Sequence, residues 1–190
     1  MTEPRVIASV LPIFEGGRLT DAFHGTTGGN ASAIMAQRRF DVPAGVCREY
    51  GVGVYFFEGD YKAAAWWARK RVWEQGSDSP AVIRAEVQLG RTLYANVMAP
   101  EVERIREQVS AVLGRAVTKA QAWQLFTAAL QRAGLIDAIK VARRANKRDL
   151  PPDSEYRFEM VICVFDPQKA TPLEQCSQHD LKKTVKVAVL

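Results

Sequence analysis

Between positions 83 and 89 the chain alternates strictly, with Ile83, Ala85, Val87 and Leu89 apolar and Arg84, Glu86 and Gln88 polar. Side chains on a strand point to opposite faces in turn, so this stretch is a β-strand with one buried face. A half-buried strand demands a sheet with something packed on its apolar side. Further strand-like runs lie at 19–23, 51–57, 135–141, 158–165 and 184–190.

Helical signals sit between these runs. Asn30 can cap a helix running to Gln37, after the glycines at 25, 28 and 29 break the first strand. Asp60 caps a helix over 61–75 that stops at Gly76. Ala99 and Pro100 open another, whose Val102, Ile105, Val109 and Val112 recur at helical spacing before Gly114. Thr118 caps a fourth, with Ala122, Leu125, Ala129 and Ala133 as its apolar stripe and Gly134 at its end. Residues 40–50 read as a loop, as does the basic segment running into Pro151 and Pro152. Helices inserted among antiparallel-looking strands predict an α+β fold, and no repeat or linker divides residues 1–190, so one domain is expected.

Composition narrows the function. With 47% hydrophobic and 25% charged residues, the chain is neither disordered nor fibrous. It has no apolar run of the roughly 18 residues a membrane span needs, and its first residues lack a signal-peptide pattern, so a soluble, cytoplasmic protein is expected. Cys47, Cys163 and Cys176 are irregularly spaced, which suits a reducing compartment; with His24 and His179 far apart, no metal site is expected. Lys plus Arg number 26 against 21 acids, a net charge of +5. The excess gathers in Arg69, Lys70 and Arg71, and in Lys140, Arg143, Arg144, Lys147 and Arg148. Each run is either a footprint for a phosphate-bearing partner or a solvated face. No phosphate loop, dinucleotide-binding glycine fingerprint or nucleophile elbow is present.

Three segments stand out in order: Phe23-His24-Gly25-Thr26 at a strand end, Gly51-Val52-Gly53-Val54-Tyr55-Phe56 on a later strand, and an acid opening a late strand. Together they resemble the NAD-dependent ADP-ribosyltransferases, in the diphtheria-toxin-like and poly(ADP-ribose)-polymerase-like branch with its His-Tyr-Glu triad. The helix after Asp60, the strand ending Leu89-Gly90-Arg91 and the segment Val164-Phe165-Asp166-Pro167 extend the likeness. Residues 92–150 match nothing in that family.

The resemblance implies a mostly antiparallel, split β-sheet with flanking helices, and NAD as co-substrate. His24 would bond a ribose hydroxyl, with the backbone of Gly25 and neighbouring Thr26 at the nicotinamide carboxamide. Tyr55 would pack on the nicotinamide ring, sandwiching it with Trp66, which is chosen over Trp67 by its offset from Tyr55. Glu159, at the head of its strand, would be the catalytic acid; Glu155 is the alternative, and alignment on Phe165-Asp166 puts Val161 at the acid's place. Ala63 stands where the family commonly has a serine. The implied activity is single transfer of ADP-ribose, with nicotinamide release, to a macromolecule, and the basic residues from Lys140 to Arg148, read as a Pro-bounded loop before the catalytic strand, favour nucleic acid (RNA or DNA) over protein. A toxin of a toxin-antitoxin pair or a phage-defence effector would act so, with an antitoxin as partner. An NAD glycohydrolase with the same site, or a catalytically silent nucleic-acid or protein-binding member, are the alternatives.

Overall fold

The computed structural model describes residues 12–42, 50–76, 79–96, 100–144 and 158–176. The elements, in order, are β1 (Ile13–Thr27), α1 (Gly28–Gln37), β2 (Val54–Glu58), α2 (Tyr61–Gln75), β3 (Pro80–Asn96), α3 (Pro100–Leu113), α4 (Lys119–Arg132), β4 (Ala138–Arg144), β5 (Phe158–Val164) and, after a 3-10 turn, β6 (Ala170–Gln175). The fold is α+β, with a six-stranded, mostly antiparallel sheet and four helices among the described residues.

The sheet order is β1-β2-β5-β4-β3-β6, and β1 also pairs with β3, so five strands close into a ring with β6 outside. β3 makes this possible by its length. One edge carries β1 throughout, while the other carries β6 at residues 83–87 and β4 at 92–96. The β3–β4 ladder is the parallel one. Parallel neighbours need a crossover, and the α3–α4 hairpin supplies it, which accounts for the stretch that matched no family pattern.

Apolar side chains fill both faces. Ala63, Ala64 and Ala68 of α2, with Val102, Ile105, Trp123 and Phe126 from the hairpin, pack on one; Ala31 of α1 and Phe40 pack on the other. The alternation in β3 holds, since Ile83, Ala85 and Val87 are fully buried.

Several boundaries shift for local reasons. β1 does not end at the glycines, because residues 24–27 pair with β3; α1 is therefore capped by Thr27, whose hydroxyl accepts from Asn30 N, and not by Asn30. β2 starts at Val54 rather than at Gly51. The Thr118 cap is completed by Gln121 in a reciprocal box, but α4 buries Trp123, Phe126 and Leu130 while Leu125 is exposed. Val112 likewise faces solvent. Lys140, Arg143 and Arg144 belong to β4, not to a loop. Cys47, Lys147, Arg148, Glu155, His179 and the run at 184–190 lie outside the described residues.

Candidate active site

β1 and β2 share only two register pairs, Ala22 with Glu58 and Phe23 with Phe57. Beyond Phe23, β1 stays with β3 and β2 stays with β5, so the sheet opens between them.

His24 spans the opening. Its Nδ1 lies 2.8 Å from the carbonyl oxygen of Tyr55, which can only accept, so Nδ1 carries the proton. In the neutral ring Nε2 is then an acceptor for a hydroxyl. Phe40, edge-on at 5.4 Å between ring centres, and Phe56, tilted at 5.8 Å, hold the imidazole in place.

Tyr55 presents its ring and not its hydroxyl. The OH donates to Gly51 O at 2.8 Å and accepts from Tyr50 N at 3.0 Å, which locks the turn before β2. Tyr50 lies beside it at 6.3 Å, resting on the edge of Trp123. The hairpin thus supports the site from below.

Gly25 is buried for a reason the sequence did not reveal. A Cβ there would stand 2.1 Å from the carbonyl oxygen of Ala64, so α2 lies directly against β1. The alanines at 63, 64 and 68 bring the helix this close.

Between α2 and the opening lies a cavity of about 400 Å³, walled by His24, Tyr50, Tyr55, Phe57 and Trp67. Arg71, Arg143 and Glu74 bring charged groups to its lining, Arg143 being paired with Glu159. A second hollow of about 170 Å³ shares His24, Tyr55 and Arg71 and adds Thr26, Asn30 and Asp41. Each basic run of the sequence therefore contributes one arginine.

Trp66 is not among the residues lining either cavity. It packs on Trp67 at 6.5 Å, with the Lys70 ammonium over both rings. Trp67, the tryptophan passed over for Trp66, lines the site, as do Arg71 and Arg143 from the two basic runs and Tyr50, which was not singled out. The spacing of Trp67, Arg71 and Glu74, one helical stripe, was the available signal for two of them.

Glu159 is buried on β5, and Arg143 Nε donates to its Oε1 at 2.5 Å. It does not line the cavity, whereas Val161 does. Across the ladders Val161 faces Phe57 and Cys163 faces Tyr55. Glu159 is thus on the same sheet face as Tyr55, four residues or about 13 Å along the strand from its level. The Lys140 ammonium pairs with Glu58 at 2.6 Å, away from the cavity.

The Leu89-Gly90-Arg91 segment is structural. Asp137 accepts from Arg91 N at 2.9 Å and pairs with the Arg91 and Lys169 side chains. Gly90 has φ 59°, and a Cβ there would also meet the Asp137 carboxylate. Burial raises the Asp137 pKa, but the Arg91 amide and the two cations outweigh it and hold it at about 2.

Among the described residues, no helix is long and apolar enough to cross a membrane. No family model matches the chain, and no curated protein matches it. Among solved structures, a chain in the crystal structure of the M. tuberculosis MbcT-MbcA toxin-antitoxin complex is similar, at 9% identity and a TM-score of 0.48, over 96% of this chain and 96% of that one.

Proposed function

We propose that residues 1–190 form one ADP-ribosyltransferase-like domain that cleaves NAD and transfers ADP-ribose to a macromolecule. The observation that carries this is the cavity at the opening of the sheet. It joins an aromatic wall, fit for a flat base, to His24 and two arginines, fit for a ribose and a diphosphate. In this reading Tyr55 and Trp67 pack on the nicotinamide, His24 Nε2 accepts from a ribose hydroxyl, and Arg71 and Arg143 take the diphosphate. Gly25 lines the same cavity and Thr26 the adjoining hollow, and both are assigned to the cofactor, whereas Trp66 stands behind Trp67.

The bond from ribose to nicotinamide breaks, and its electron pair leaves with neutral nicotinamide. An acceptor oxygen or nitrogen attacks the sugar carbon and gives up its proton to solvent. Positive charge develops on the ribose, and Glu159, which pairs with the cavity-lining Arg143 but does not itself line the cavity, is the carboxylate assigned to stabilise it. A macromolecular target in the cytoplasm would make the chain a toxin or phage-defence effector held in check by an antitoxin, which growth arrest on induced expression would test.

Val161 at the cavity wall favours a second reading, an NAD-binding member in which transfer is lost or water is the acceptor. Incubation with NAD separates these outcomes. Free nicotinamide with a labelled macromolecule supports transfer, free nicotinamide with free ADP-ribose supports hydrolysis, and neither product overturns the enzymatic reading.

A further inference from the structure

α2 has two working faces. Trp67, Arg71 and Glu74 turn toward the cavity. At 100° per residue, Lys62, Trp66, Arg69, Lys70 and Trp73 form the neighbouring strip, about 100° wide. The strip carries three cations and two tryptophans. The helix has a single acid, Glu74, and it belongs to the other face. Trp73 is 82% exposed, which leaves a large apolar ring in water. Trp123 is the tryptophan buried in the hairpin, and Trp73 takes no part in the core.

We infer that this strip is a docking surface for single-stranded nucleic acid, which it leads into the cavity as the acceptor; that last role rests on the ADP-ribosyl-transfer reading. Charge complementarity selects the partner: closely spaced cations without an interleaved acid match a phosphate backbone. Trp73, with the half-buried Trp66 beside it, selects the unpaired form, because a base must leave its duplex to stack on an exposed indole. Trp66 and Trp73 lie about 10 Å apart along the axis, with Arg69 and Lys70 between them. The strip adjoins the face bearing Trp67 and Arg71, so a strand lying along it passes the mouth of the cavity.

The test is fluorescence anisotropy with a labelled 12-nucleotide DNA strand, the matching RNA strand and their duplexes, without NAD. At least one single strand should bind more tightly than its duplex, with affinity falling as salt rises at a log–log slope of about −2 for three phosphates contacted. Trp73→Ala should weaken binding about tenfold, and Lys62→Glu with Arg69→Glu should weaken it further and flatten the slope. All three positions are exposed, so circular dichroism should show unchanged folding, and nicotinamide release without an acceptor should stay at the wild-type rate. Strand binding that ignores these substitutions, or equal binding to duplex, overturns the proposal. So does loss of binding to anionic phospholipid vesicles in the same variants with no strand binding in the wild type. Strand binding without any NAD turnover would keep the surface and overturn only the acceptor role.

Discussion

The His24 imidazole and the Tyr55 carbonyl, 2.8 Å apart, join the two strands just where their ladder has ended. The bond sets the tautomer of a ring that lines the cavity, and the proposed function gives that ring a ribose hydroxyl to bind. His24→Ala should therefore weaken NAD binding about tenfold, the worth of one such bond, as read by calorimetry. Unchanged affinity would make the contact a strand clasp without a ligand role.

Arg71 and Arg143 are assigned to the diphosphate, so each change to Gln should lower NAD affinity by roughly ten- to a hundredfold. Binding of nicotinamide alone should not change. A parallel loss for nicotinamide would show that the arginines shape the aromatic wall instead.

Glu159→Gln separates chemistry from scaffolding. The expected outcome is a kcat about a hundredfold lower with NAD affinity nearly retained, since a transition-state partner is removed. Arg143 loses its charged partner, so stability should also fall by about 2–3 kcal/mol in urea. Lost stability with a wild-type kcat would reduce the pair to a strut.

Gly25→Ala tests the contact between β1 and α2. The added methyl must displace the Ala64 carbonyl, so the protein should lose about 3 kcal/mol or more, or fail to fold. A stable variant with altered NAD binding would locate the glycine's role at the ligand.

Asp137 makes stability acid-sensitive. Its folded pKa of about 2 lies below the ordinary aspartate value of 3.8, so its contribution is full above about pH 5 and fades as pH falls toward 2. Asp137→Asn should destabilise the protein at neutral pH and flatten that part of the acid-unfolding curve. An identical slope in both proteins would count against the assignment.

Periodicity and capping read well from the chain because they are local. The β3 alternation and the Asp60, Gly76 and Thr118 signals all correspond to observed features. Position across the sheet does not read so well. His24-Gly25-Thr26 looked like a turn, but pairing with β3 overrides the glycine's local preference. Leu125 looked buried because α4 has two plausible stripes, and only the packed hairpin chooses the one with Trp123 and Phe126. In the candidate site, His24 and Tyr55 could be named from their motifs. Arg71 and Arg143 could be named only as members of two separate basic runs, and Trp67 only as the neighbour of Trp66, since what brings a helix face and a strand from the far side of the sheet together is the ring of pairings.

The two-pair seam between β1 and β2 also bears on motion. A ladder with so few rungs parts at low free energy compared with the long β1–β3 ladder, so amide hydrogens facing the gap should exchange with solvent well before those of β3. A molecule that bridges the gap supplies the missing rungs. Capture of the ligand and tightening of the ring are then one event, and protection against exchange should spread from the cavity into strands the ligand never touches.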